Sequence, residues 1–266
     1  MSSQEILRDV PAEEVDQVTS DFQAIGATVT RTMQPNGMFT VTANFDGAVH
    51  LAPVATDSEA ESLAILPSSP DAPLPPIAKS TDFADIAAEY RIYFDRCQVR
   101  PERAAAVQKQ VARLLASAPR YRALGEKLGM PWHFIGIMHA LEANMNFNGH
   151  LHNGDPLTAR TIHVPAGRPQ SGNPPFRWED SARDALAMKG YVGQTDWSVA
   201  RMLFRWEAFN GFGYRRRGLP SPYLWSFSPV YVKGRFVADH VFDPESVSKQ
   251  CGAAVLLKML QQDAMA

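Results

Sequence analysis

The 266-residue sequence predicts an α+β fold in which a mainly α-helical domain, residues 81–266, follows a small helix-plus-β-hairpin module, residues 1–55. Three observations predict it. Two alternating β-branched runs near the N-terminus flank an Asn-Gly pair, the signature of a hairpin. Five prolines fall within residues 62–80 and mark an extended linker over 56–80. Beyond the linker, apolar residues recur at the three- and four-residue spacing of helices.

Taken in order, Val15, Val18, Phe22 and Ile25 lie on one face of a helix. The runs TVTRTM and FTVTANF then read as strands around Gln34-Pro35-Asn36-Gly37, because Asn and Gly tolerate the positive φ of a tight hairpin. This module carries no grouping of catalytic side chains. After the linker, helices are expected over 82–97, 101–117, 119–128 and 131–146, with Pro101 and Pro131 at first-turn positions. Residues 147–176, rich in Gly, Pro, Asn and His, form a loop or a short hairpin. Helices return at 179–189, 196–210 and 244–262. The aromatic stretch GFGYRRRGLPSPYLWSFSPVYVKGRF between the last two is irregular, with one short hairpin.

Composition excludes several classes. With 45% apolar and 20% charged residues, the chain is neither disordered nor collagen-like. No apolar run approaches the roughly 20 residues of a membrane span. The N-terminus, MSSQEILRDVPAEEVDQ, is acidic and has no apolar signal core, so synthesis in the cytoplasm without a secretory peptide is expected. Cys97 and Cys251 lie too far apart for a CxxC motif and are expected to be buried free thiols. The net charge of −2 conceals an asymmetry: residues 1–80 hold eleven acidic and three basic residues, the remainder 17 and 23. A basic second domain suits an anionic polymer, although scattered solvated charge is the simpler account.

The most informative segment is MPWHFIGIMHALEANMNFNGHLHNGDPL. Phe134, Met138, Leu141 and Met145 form a buried stripe, and Glu142 lies about 60° from its centre at 100° per residue. A carboxyl at the edge of an apolar face is partly desolvated, which raises its pKa and suits a general acid. A structural glutamate bonded to backbone or to an arginine is the alternative. Asp155 follows within thirteen residues, in the turn-like run Asn-Gly-Asp-Pro. A helix-borne Glu with a loop-borne carboxylate is the pairing that glycoside hydrolysis uses.

On these residues the sequence resembles the lysozyme-like superfamily, the fold of goose-type lysozymes and soluble lytic transglycosylases. PWHFIGIMHALEANMNFN puts Glu142 at that family's catalytic place, followed by Phe147-Asn148, and Glu207-Ala208-Phe209-Asn210-Gly211 resembles its Ala-Tyr-Asn-(Ala/Gly)-Gly element. The resemblance spans residues 81–262, and its motifs are few and short. Ala143 stands where the family has Ser, Phe209 where it has Tyr, and no Gly-Leu-Met-Gln follows the glutamate. The layout, a small module linked to such a domain, is similar to that of phage endolysins.

The resemblance implies a muramidase that cleaves the MurNAc–GlcNAc bond of peptidoglycan, on the cell wall after export or lysis. Glu142 would be the acid and Asp155 the base or charge stabiliser, with Glu207 and Glu179 in reserve. Thr161 or Thr158 would hold the water, and Asn210 would position acid or substrate. Tyr214, Tyr223 and Trp225, with Trp178 and Tyr231, would be sugar platforms, and Arg215, Arg216 and Arg217 would meet substrate carboxylates. No cofactor, nucleic acid or membrane span is expected. The partners are the glycan strand and a contact made by the N-terminal module, and the chain is expected to be a monomer.

Rival readings remain. With a single catalytic acid, the domain would be a lytic transglycosylase. His150, His152, Asp155 and His163 are residue types that bind zinc, as in a wall peptidase or amidase, but no defined metal motif is present. A non-catalytic glycan-binding protein is the third. No GxSxG nucleophile or phosphate-binding glycine loop is present.

Overall fold

The structure, a computed structural model, describes residues 3–10, 15–24, 27–35, 37, 39–45, 73–238 and 241–263. Ile25, the turn residue Asn36 and linker residues 56–72 lie outside these. The chain is mixed α/β and mostly helical. It divides into two compact units, one N-terminal and reaching Pro75, the other running from Pro76 onward.

The N-terminal unit comprises β1 (Ser3–Val10), α1 (Val15–Ala24), β2 (Thr28–Met33) and β3 (Phe39–Phe45). Its sheet has the order β1-β3-β2, so Thr42 of the middle strand pairs with Ile6 on one side and Thr30 on the other, both antiparallel. The expected hairpin is therefore part of a three-stranded sheet. Strand β1 escapes sequence reading because adjacent Ile6 and Leu7 break its alternation and its register shifts between Leu7 and Val10. Gly37, at φ 80°, donates to the Gln34 carbonyl at 3.0 Å and closes the β2–β3 turn. Val15, Phe22, Val41 and Ala43 are buried.

The larger unit begins with α2 (Phe83–Arg96), whose Asp82 cap accepts from the Ala84 N–H at 2.8 Å. A 3-10 turn (Pro101–Arg103) leads into α3 (Ala104–Leu128), one continuous helix where two were expected. Pro119 removes a backbone hydrogen bond. The buried row Leu114, Ala118, Tyr121 and Leu124 nevertheless runs past it, so packing against the next helix carries the helix through.

That next helix, α4 (Trp132–Ala143), is the centre of the unit. Ile135, Ile137 and His139 are buried along with Phe134, Met138 and Leu141, so the expected stripe is a helix apolar almost all round. Its close crossing with α3 requires Gly136, where a Cβ would lie 3.0 Å from the Tyr121 ring. Around it pack α5 (Trp178–Met188), α6 (Val199–Asn210), α8 (Pro222–Trp225) and α9 (Ala253–Asp263), while α7 (Gly213–Arg216) is joined through Arg215 to α2 and α6. Phe134 stacks on Trp206 of α6 with ring centroids 5.2 Å apart.

Residues 147–176 form an irregular loop with one isolated bridge, Gly149 to Pro156. The aromatic stretch contains α7 and α8 and leads into a hairpin of β4 (Arg235–Ala238) and β5 (Val241–Asp243). The helix expected over 244–262 starts only at Ala253. Asp243 explains the delay: its carboxylate accepts from the N–H groups of Glu245 and Ser246, an Asx turn ahead of Pro244. Cys97 and Cys251 are free and buried, and burial pushes the Cys97 thiol up to about 11.

Candidate active site

Glu142 lies one residue before the end of α4, where the chain must leave a buried helix sharply. Asn144 and Met145 take φ values of 47° and 57°, left-handed conformations that cost side-chain-bearing residues energy. The end is held from two sides. Arg113 donates to the Asn144 side-chain oxygen at 3.1 Å and to its carbonyl at 2.8 Å, and Gln250 donates to the Leu141 carbonyl at 2.6 Å. Gly154 brings the following loop over the same end, where a Cβ built on it would stand 3.8 Å from the Glu142 carbonyl.

The Glu142 side chain is half-buried, and desolvation pushes its pKa up to about 7. Two groups oppose that rise. The Tyr223 hydroxyl donates to Oε1 at 2.5 Å, and the Lys189 ammonium acts through its field. Tyr223, from α8, is itself 8% exposed, so it is a partner of the acid and not a sugar platform. Tyr191, two residues beyond Lys189, is buried, donates to the Arg205 carbonyl at 2.9 Å and feels the Glu142 charge.

Three residues earlier on α4, His139 is buried among Tyr121, Phe147 and Trp178. Nε2 of His139 lies 3.1 Å from the Trp178 indole nitrogen, a donor, and 3.2 Å from the Asn146 carbonyl, an acceptor, while Nδ1 faces the Tyr121 hydroxyl at 3.0 Å. Burial pulls the His139 pKa down to about 4. It is a neutral, structural residue that ties α4 to α3 and α5.

Asp155 is not turned to the acid. One of its oxygens accepts from the His163 ring at 2.6 Å; the other accepts from the Ile162 and His163 N–H groups at 2.8 and 3.0 Å and from Asn153 at 3.1 Å. These donors, the His163 ring foremost, hold its pKa well below the usual carboxylate range. No hydrogen bond or ion pair joins it to Glu142; it staples the 153–163 loop. Thr161 belongs to the same loop, its buried hydroxyl donating to the Pro165 carbonyl at 2.5 Å and accepting from the Arg168 N–H at 2.9 Å. Thr158 is exposed and lines a surface groove of about 470 Å³ with Arg120, Phe147, Asn148, Trp178 and Glu179. Glu142 lines neither this groove nor the one of about 710 Å³ between the 169–177 loop and α5.

The reserve carboxylates are also engaged. Glu207 is 2% exposed and accepts from Tyr90 at 2.5 Å and Arg215 at 2.8 Å. Arg215, expected to meet substrate, is 1% exposed and also binds Glu89 at 2.7 Å, so it fastens α7 to α2 and α6. Glu179 pairs with Arg120. Tyr214, Trp225, Trp178 and Tyr231 are core: Tyr214 packs on Phe236, Trp225 on Tyr93, Trp178 on His139, and the Tyr231 hydroxyl donates to the Gly234 carbonyl. Asn210 is exposed at the end of α6, and beside it half-buried Phe209 lies under the Lys189 ammonium at 5.2 Å.

The histidines of the loop are each tied to other groups: His150 and His152 both approach Ser181, with ring centroids 5.8 Å apart, and His163 turns to Asp155. His150 is bonded to Ser181 and the Ala159 carbonyl, His152 to Asp184, and His163 to Asp155. Among the described residues no three His, Cys, Asp or Glu side chains come together as metal ligands. Sequence reasoning missed Lys189, Tyr191, Arg113 and Gln250, none of which belongs to a recognisable motif. Their chain separation from Glu142 hides them, and only the helical spacing of α5 hinted that Lys189 ends a helix. No family model, curated protein or solved structure matches this chain.

Proposed function

We propose that the larger unit is a lysozyme-like glycosidase acting on the peptidoglycan strand, with Glu142 as its general acid. The observation that carries this reading is a carboxyl group held protonated to about pH 7 at the end of a buried helix and oriented by a single donor. Tyr223 occupies Oε1, so the acidic proton belongs on Oε2, free to be donated. Transfer of that proton to the glycosidic oxygen lets the C1–O bond break, the electron pair leaving on the oxygen as a hydroxyl forms. A nucleophilic oxygen then bonds to C1 and returns its proton to the Glu142 carboxylate.

The identity of that oxygen separates two readings. A hydrolytic muramidase uses water and a second carboxylate. The occupied lone pairs of Asp155 and the ion pairs of Glu207 and Glu179 favour the single-acid route, in which the muramyl C6 hydroxyl attacks C1. Mass spectrometry of digested peptidoglycan distinguishes them: anhydro-muramyl ends are the expected product, reducing ends return the muramidase reading, and cleaved stem peptides with intact glycan overturn both. Glu142→Gln is expected to lower cleavage at least a hundredfold, the scale of a general acid.

A further inference from the structure

Helix α3 gathers most of the surplus basic charge of the helical domain. Residues 81–266 hold 23 basic and 17 acidic residues, a balance of +6. Within them α3 alone has five cations and one carboxylate, a balance of +4, and no other helix of the unit exceeds +2. Four of the five, Lys109, Arg113, Arg120 and Lys127, fall within about 40° of one another at 100° per residue, along about 27 Å of helix. All four are exposed, and the same face carries exposed Ala116 and Ala123 between them. The charge is a row, not a scatter.

The fold itself compensates one of the four. Arg120 pairs with Glu179, while Arg113 donates to the neutral Asn144. Among the described residues, the Lys109 and Lys127 ammonium groups have no hydrogen bond or ion pair. Lys109 and Arg113 stand one turn apart, where like charges repel, and an anion laid along the face relieves that repulsion. A single straight row fits a linear polymer better than a flat bilayer. No aromatic side chain of α3 lies on this face to stack a base, and the small alanines admit a polymer whose charges sit in its own backbone. Guanidinium and ammonium groups both bind phosphate. We infer that this face of α3 docks a linear, base-free polyphosphodiester, a polyol-phosphate chain, through its phosphates. The contact is independent of Glu142 and of the proposed glycan cleavage.

The test titrates the full chain into fluorescently labelled poly(glycerol phosphate), single-stranded DNA and poly-L-glutamate of matched charge, read by anisotropy. The polyol phosphate is expected to bind most tightly. Four phosphate contacts release counterions, so its binding should weaken about 50-fold between roughly 50 and 200 mM salt, on the scale of a single strand. Lys109→Gln with Lys127→Gln leaves two contacts and should reduce that factor to about sevenfold. Arg91→Gln with Arg122→Gln, an equal loss of exposed charge off the row, should leave it at about 50-fold. If both double variants lose salt dependence alike, binding follows net charge and the row is overturned. Tighter binding of DNA means that bases are read, and tighter binding of polyglutamate means an acidic polypeptide; either overturns the assignment. So does the absence of binding to all three polymers at the lower salt.

Discussion

The hydroxyl of Tyr223 lies 2.5 Å from Oε1 of Glu142, joining two residues 81 positions apart in sequence. Burial drives the carboxyl toward its neutral form, and this donor partly restrains it. The pair sets both where the carboxyl points and over what pH range it keeps its proton.

Removing the donor should therefore move the pH profile. In Tyr223→Phe the carboxylate loses a stabilising contact, so the pKa of Glu142 rises. The alkaline limb of kcat/KM is expected about one unit higher, since a hydrogen bond to a charge is worth roughly 1.4 kcal/mol or more. A fall of about tenfold in kcat should accompany it, because the acid is less well oriented. An unmoved limb would place the titrating group elsewhere.

In the unmodified protein the limb should stand at about 7. The acid must be protonated, so cleavage declines above that pH, by about tenfold per unit. Initial rates on soluble muropeptide oligomers between pH 5 and 9 check this. A rate that stays level to pH 9 contradicts the assignment.

The same group costs stability once ionised. The folded carboxyl holds its proton more tightly than the unfolded one, at about 7 against 4.5. Its favourable contribution is thus complete below the unfolded value and lost as pH rises through the folded one. Glu142→Gln should match the parent in urea melts at pH 4 and exceed it at pH 9 by up to about 3 kcal/mol.

Asp155 should behave in the opposite way. Its depressed pKa means stability present above the ordinary carboxylate range and lost on acidification. Asp155→Asn is expected to lower Tm at pH 7 by about 3–6 °C, the effect of losing one or two charge-assisted bonds. Cleavage per folded molecule should stay within about threefold of the parent. A loss of a hundredfold or more would instead restore Asp155 as the second carboxylate.

Gly252 offers a structural test of the Tyr223 platform. A Cβ there would stand 2.2 Å from the Leu224 carbonyl, in the helix that carries Tyr223. Gly252→Ala must push α9 from α8, at a cost of about 2–4 kcal/mol. Wall cleavage at permissive temperature should fall with it, because the displaced element also places Tyr223 on Glu142.

Much of this was legible in local pattern. Periodicity located α2, α4, α5 and α6, and the Asn-Gly pair located a hairpin, because those signals depend on neighbours three or four residues away. Glu142 was legible for the same reason: it sits at a defined angle on a strongly apolar helix. Asp155 also stood out, but chain proximity to Glu142 said nothing of its direction. Four donors from its own loop had the stronger claim on its oxygens.

Aromatic and cationic side chains were the least readable. Trp225 and Tyr214 are core, and Arg215 is a buried ion-pair partner, since the same residue types serve either purpose. The sequence by itself determined a mostly helical domain with a carboxyl group at the edge of its most apolar helix. Which residues meet that carboxyl was decided only by tertiary packing, through contacts between α4, α5 and α8. Desolvation, the Tyr223 hydrogen bond and the Lys189 field all depend on distance in space, and none is encoded in spacing along the chain.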